Sequence, residues 1–84
     1  DNNQSAASNL YREKKSLQNR LKKLEQTVDQ HHQRLSQLET ILGDLSLYEE
    51  GQQHKLQKLL DEQRKLQNEL KQAEEEWLEL VNSL

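Results

Sequence analysis

The sequence predicts an all-α fold, a two-helix antiparallel coiled-coil hairpin. Three observations lead to this prediction: leucines that recur in alternating steps of three and four residues, 32% charged residues between them, and no proline in 84 residues. Only Gly43 and Gly51 interrupt the helix-forming composition. With 31% apolar residues the chain is too polar for a conventional globular core, which excludes most enzyme folds. The periodic leucines argue against a disordered chain.

Residues 1–9 are mostly small and polar and show no period, so they predict a flexible linker. Residues 10–84 predict the hairpin, with helix 1 over about 10–42, a turn over 43–51 and helix 2 over about 52–83. The chain contains no methionine, not even at its start, and we expect it to be a piece of a longer protein. No apolar run is long enough for a membrane span or a secretory signal.

A heptad seam runs along each predicted helix, with Leu21 at position a in helix 1 and Leu56 at position a in helix 2. Apolar residues fill eight of the ten a and d positions in helix 1 and eight of the nine in helix 2. Trp77 lies at an a position, which favours a core role over a binding anchor or a base-stacking platform. The predicted core residues are Leu17, Leu21, Leu24, Val28, His31, Leu35, Leu38, Leu42, Leu56, Leu59, Gln63, Leu66, Leu70, Trp77 and Leu80.

The turn is predicted from its two glycines and its capping residues. Gly43 suits the left-handed residue that ends a helix, and Asp44 or Ser46 suits the cap that begins the next one. A turn is therefore better supported than one continuous rod. We expect the apolar residues of this segment to cover the last core layer: Leu45, Leu47 and Tyr48.

Two registers of the hairpin pair a positions with d positions throughout. The tighter register sets His31 opposite Gln63 and Leu17 opposite Trp77. The looser register sets His31 against Leu70 and gives Gln63 an apolar partner as well, at a cost of about 1–3 kcal/mol for each polar group that faces hydrocarbon. We therefore expect the tighter register.

The charge pattern also favours an antiparallel pair. Residues 12–23 carry six basic residues and one acidic residue, whereas residues 69–79 carry five acidic residues and one basic residue. We expect the basic stretch to lie beside the acidic one, which selects the orientation more than it stabilises the fold. The expected ion pairs are those of Arg20 with Glu69 and Glu76, and of Arg34 with Glu62.

No catalytic or metal site is predicted in this chain, and no cofactor. Two isolated glycines cannot form a phosphate-binding loop, and the carboxylates lie on convex helix faces without a pocket. His31 and His32 point about 100° apart on a helix, and His54 lies beyond the turn, so three ligands do not converge. The absence of cysteine excludes disulfides and thiolate sites. His31 is instead interpreted as a polar core residue that sets the register.

Three lysines remain for a binding role. Lys15, Lys22 and Lys23 fall at outer b and c positions, where their charge cannot be neutralised by the partner helix and is free for phosphates. The net charge of the chain is −3, so any affinity for nucleic acid must be local. No stacking aromatic residue was expected beside these lysines, which predicts contact with phosphates rather than recognition of a base sequence.

Three segments together resemble the C-terminal domain of ABC-F family ATPases. They are YREKKSLQNRLKKLEQTV (11–28), LGDLSLYEE (42–50) and LKQAEEEWLELVNSL (70–84), and the resemblance covers about residues 10–84. It implies a cytoplasmic parent protein with two upstream ATP-binding cassettes, which bind ATP and Mg²⁺. The hairpin itself is then a non-catalytic C-terminal arm that contacts DNA, RNA or the ribosome and positions the ATPase, with no role for a membrane.

The resemblance directs attention to the basic residues of both helices as candidates for nucleic-acid contact. The alternative to this function is a protein-protein interaction or dimerisation coiled coil, in which the seam joins two chains and a homodimer forms. The candidate residues are Arg12, Lys14, Lys15, Arg20, Lys22, Lys23, Lys55, Lys58, Arg64 and Lys65, and the predicted turn residues are Gly43, Asp44 and Tyr48.

Overall fold

The computed structural model describes residues 2–84, and for residues 2–5 the backbone alone. The chain forms a long helix α1 (Asn2–Leu42), a short 3-10 helix (Leu45–Tyr48), here called the tip helix, and a second long helix α2 (Gln53–Ser83). The two long helices pack along each other in a rod of 74 × 16 × 15 Å. The predicted all-α helical hairpin is confirmed. No helix within residues 2–84 is long and apolar enough to cross a membrane.

The N-terminal end of α1 differs from the sequence prediction. Residues 1–9 are predicted as a flexible linker, yet residues 2–9 are helical and continue α1 without a break, while Asp1 lies outside the described residues. The physical reason is local: Ala6 and Ala7 are strong helix formers, and no glycine or proline stops the helix. The side chains of residues 6–9 are exposed.

The core follows the heptad seam. All fifteen predicted core residues are buried or half-buried, and Leu38 is fully buried at 0% exposure. Ala73 and Leu80 of α2 are buried as well. Most seam residues stay half-buried because each helix covers only one side of the other. The seam positions that follow further toward the N-terminus, Leu10 and Lys14, are exposed.

The helices adopt the looser of the two registers, so the predicted tighter register is wrong. Trp77 Nε1 donates a hydrogen bond to Glu25 at 3.2 Å, which sets Trp77 level with Leu24 rather than with Leu17. His31 Nε2 lies 2.8 Å from Glu69 Oε2, so His31 is level with Leu70 rather than with Gln63. Of the predicted ion pairs, Arg20 with Glu76 and Arg34 with Glu62 form. Among the described residues Glu69 pairs with His31 and not with Arg20, so that part of the prediction is wrong.

Local hydrogen bonds remove the penalty that the looser register was expected to carry. His31 Nδ1 lies 2.9 Å from the carbonyl oxygen of Thr27, one turn earlier on the same helix, and Nε2 meets Glu69. No buried side-chain nitrogen or oxygen within the described residues lacks a hydrogen-bond partner. Both ring nitrogens of His31 therefore lie within hydrogen-bond distance of an oxygen beside the core layer, and the ring does not face Leu70 alone.

The register also leaves the first part of α1 without a partner helix. When Trp77 is level with Leu24, Leu84 comes level with Leu17, and α1 extends beyond the end of α2. We call residues 2–16 the N-terminal overhang. This explains the exposure of Leu10, which has no facing helix to cover it.

The turn corrects the predicted role of Gly43. The positive φ falls on Gly51 (φ 89°), and Gly43 instead continues the helical hydrogen bonding by donating to the carbonyl oxygens of Glu39 and Thr40. Asp44, one of two candidate caps, accepts a hydrogen bond from the Ser46 backbone N–H at 3.0 Å. It therefore caps the tip helix and not α2, whose N-terminus has no side-chain cap.

One of the three residues expected to cover the tip is buried. Leu47 is the buried residue of the tip helix, which packs against α2, and is 4% exposed, whereas Leu45 is 82% exposed. Tyr48 is exposed, but its hydroxyl donates a hydrogen bond to the carbonyl oxygen of Leu42 at 2.7 Å. A 3-10 helix has three residues per turn, so its side chains cannot all face the same core layer.

Candidate nucleic-acid interface

Six exposed basic residues lie on the N-terminal part of α1. With one acidic residue, Glu13, among them, residues 12–23 carry a net charge of +5. All six belong to one straight helix, and helical spacing distributes them around its solvent-facing sides. We call this set the basic cluster: Arg12, Lys14, Lys15, Arg20, Lys22 and Lys23.

The basic cluster is largely free of acidic partners. The sequence places it beside the acidic stretch of α2, but in the looser register residues 69–79 are level with 22–32 of α1, so this expectation is only partly met. Arg20 pairs with Glu76 at 3.5 Å, as predicted, and is the one member of the cluster with an ion pair among the described residues. The first three members lie on the overhang, beyond the end of α2.

The structure adds an aromatic residue that the sequence analysis missed. Tyr11 is 66% exposed, and the Lys15 ammonium lies 6.0 Å from the centre of its ring. Tyr11 lines one shallow depression with basic residues and no acidic ones: Arg12, Lys15, Arg20 and Lys23, together with Ser16 and Asn19. The signal was available in the sequence, because Tyr11 and Lys15 are four residues apart and therefore neighbours on a helix.

The four basic candidates of α2 do not join this cluster. Lys55, Lys58, Arg64 and Lys65 are exposed, but they lie near the tip, level with the last turns of α1 and with the turn that follows it. At 1.5 Å per residue this places the two groups about 35 Å apart along the rod. One short contact surface cannot contain both. We call these four residues the tip-side basic group.

His31 and His32 lie between the two basic groups, whereas His54 adjoins Lys55 of the tip-side basic group. His31 and His32 each pair with a glutamate of α2, Glu69 at 2.8 Å and Glu74 at 3.7 Å. No three histidine or acidic side chains in the described part of the chain are arranged to hold a metal ion.

A second surface feature lies next to the basic cluster, where α1 and α2 pack together. It is an open groove of about 600 Å³ with an apolar lining from Val28, Trp77 and Leu78. Its rim carries four acidic residues and one basic residue: Glu25, Asp29, Glu74, Glu75 and Lys71. We call it the acidic-rimmed groove. Leu78 is 56% exposed within it.

Perturbed pKa values occur near the tip and not at the basic cluster. Arg34 donates from Nε to Glu62 at 2.6 Å and from Nη2 at 3.0 Å, and this two-point hydrogen bond lowers the pKa of Glu62 and raises that of Arg34. The backbone N–H of Ser46 lowers the pKa of Asp44. Both shifts follow from local hydrogen bonds near the tip.

Comparison with known proteins identifies the family. No curated protein and no solved structure matches the chain. Residues 11–82 match the family described as the ABC transporter C-terminal domain, and the match covers α1 from Tyr11 onward, the turn and almost all of α2. The chain belongs to the ABC transporter C-terminal domain family.

Proposed function

We propose that this hairpin is a non-catalytic arm of an ABC-F ATPase that contacts nucleic acid, either DNA or RNA of the ribosome, through the basic cluster. The observation that carries the proposal is a net charge of +5 over residues 12–23, with a single acidic partner that reaches it from α2. Charges of this kind bind phosphates without reading a base sequence.

Three features support α1 as the contact. The overhang has no partner helix, so a duplex can approach its basic side chains without displacing α2. Tyr11 offers an exposed ring beside Arg12 and Lys15, which suits stacking on an unpaired base. The acidic residues of α2 lie further along the rod and repel phosphate there, which restricts contact to the N-terminal end of α1.

In the parent protein the arm positions the ATPase on its target. The ATP-binding cassettes lie upstream in the parent and bind ATP and Mg²⁺, and we expect the protein to act in the cytoplasm, on the ribosome as a translation factor. The rigid rod of 74 Å lets a contact at one place hold the cassettes at a defined distance.

The test is binding of the chain to duplex DNA, duplex RNA and ribosomes across a salt series. The substitutions Lys15→Glu, Lys22→Glu and Lys23→Glu together remove three phosphate contacts. Each contact contributes a slope of about −0.9 in log K against log salt on B-DNA, so we expect at least about a tenfold loss at about 0.05 M salt and a shallower slope.

A matched control comes from the tip-side basic group. Lys55→Glu, Lys58→Glu and Lys65→Glu change the net charge by the same amount, and all six lysines are exposed. If the basic cluster is the contact, the control triple keeps most of the affinity. Equal losses in the two triple variants would show that net charge alone controls binding, and would contradict the proposal.

A further inference from the structure

The acidic-rimmed groove combines an apolar lining with acidic side chains. We propose that two hairpins associate side by side with a two-fold axis, with Tyr11 of each copy in the groove of the other. This differs from a dimer formed through the heptad seam, because the seam is already closed within one chain.

The two complementary patches lie on one face of α1. Steps of four and three residues connect Tyr11, Lys15, Gln18, Lys22, Glu25 and Asp29 into a single stripe along the helix. At one end of this stripe the Lys15 ammonium lies over the Tyr11 ring. At the other end Glu25 and Asp29 line the same groove, so the residues at each end are neighbours on one face. The stripe is basic at the N-terminal end and acidic at the groove.

This order of charges makes the stripe complementary to itself when a second copy runs antiparallel. Setting Tyr11 opposite Asp29 also sets Lys15 opposite Glu25 and Gln18 opposite Lys22, so no like charges meet. A two-fold interface requires this self-complementarity. When residue i of one copy contacts residue j of the other, residue j of the first copy also contacts residue i of the second. Tyr11 and Val28 lie about 26 Å apart along one straight helix, so the two copies form both contacts at once.

The proposed interface also contains apolar side chains that a second copy would cover. The groove lining of Val28, Trp77 and Leu78 remains accessible in the single hairpin, and Tyr11 is 66% exposed. A Tyr ring brings a large apolar surface with a polar hydroxyl, which suits an apolar floor under a charged rim. Arg12 and Lys15 accompany Tyr11 and match the four acidic residues around the groove.

The experiment is sedimentation equilibrium of the full chain without nucleic acid, at low and high salt, up to about 1 mM. We expect a monomer-dimer equilibrium that salt weakens. Trp77 is the only tryptophan and lines the groove, so its emission should change with the same midpoint. A monomer at every concentration would overturn the proposal, and so would a dimer that forms with no change in Trp77 emission.

Charge reversal locates the contact. Lys15→Glu and Tyr11→Ser lie on the exposed overhang, where they do not disturb the core, and each should weaken the dimer at least about tenfold. Lys58→Glu and Leu45→Ser are the matched controls, at exposed positions outside the face, and should leave it unchanged.

The decisive variant combines Lys15→Glu with Glu25→Lys, which restores opposite charges across the interface. We expect it to regain most of the affinity lost in Lys15→Glu, with circular dichroism confirming the helical fold. Failure to regain affinity in a folded double variant would overturn the pairing. Because nucleic acid is absent from these measurements, a failure of the proposed function would not affect their outcome.

Discussion

The two ends of this hairpin differ in the side chains that they bury and expose. Near the tip, Leu38 and Leu47 are buried, Arg34 holds Glu62 by two hydrogen bonds, and Tyr48 closes onto Leu42. At the open end, α1 runs past α2, and its basic and apolar side chains face solvent. Leu80 is buried toward the open end as well, so the seam is closed at both ends of the paired region. The comparison teaches that the two ends differ in what they expose, because the groups available for partners are concentrated at the open end.

The largest expected effect comes from truncating one leucine at each end. Leu38→Ala removes a side chain with 0% exposure and should cost about 3 kcal/mol of unfolding free energy, because it leaves a cavity that two long helices cannot close. Leu17→Ala, at the half-buried end of the seam, should cost about 1 kcal/mol. Urea denaturation followed by circular dichroism measures both, and equal losses would refute the division between tip and open end.

A smaller effect is expected from the two tyrosines. Tyr48→Phe removes the hydrogen bond to the Leu42 carbonyl oxygen and should lower the unfolding free energy by about 0.5–1 kcal/mol. Tyr11→Phe is the matched control, because its hydroxyl makes no hydrogen bond within the described residues, and it should leave stability unchanged. Thermal denaturation of the two variants gives the comparison directly, and a larger loss for Tyr11→Phe would contradict it.

The smallest expected effect is in the dependence of stability on pH. Arg34 lowers the pKa of Glu62 below its unfolded value, so this group stabilises the fold above the unfolded pKa and loses that contribution as pH falls through the folded pKa. Asp44 acts in the same direction. Glu62→Gln should therefore flatten the fall of Tm in acid and lower Tm near neutral pH by less than about 5 °C.

The control for this prediction is Glu13→Gln on the overhang, which removes a carboxylate that has no ion pair within the described residues. Thermal scans between neutral pH and strongly acidic pH should separate the two variants. An unchanged acid dependence in Glu62→Gln would show that the pair with Arg34 does not couple to folding.

Much of this architecture could be predicted because the heptad period is a property of the sequence itself. Spacing alone identifies the seam residues, and opposite charges identify the pairs of Arg20 and Arg34. The register could not be obtained this way, because both registers align a with d throughout. The contacts that mark it join side chains beside the seam, His31 with Glu69 and Trp77 with Glu25, and pairing rules across the seam do not include them.

The candidate interface in the structure also differs from the one that the sequence predicts. Tyr11 was passed over because it lies outside the seam, although its spacing from Lys15 marks it as a neighbour. The separation of the tip-side basic group follows from the hairpin geometry and cannot be seen in a list of basic residues. Residues 1–9 were predicted as a linker from their composition, which does not show whether a helix continues beyond its partner; residues 2–9 are helical.

The most direct test of the central claim is to titrate the isotopically labelled chain with a short RNA duplex, and separately with a DNA duplex, while recording backbone amide NMR spectra. If the open end is the contact surface, the amides of residues 11–23 shift first and most, and those near Lys55, Lys58 and Arg64 stay unchanged. Shifts centred on the tip-side basic group, or spread evenly along the rod, would contradict the account.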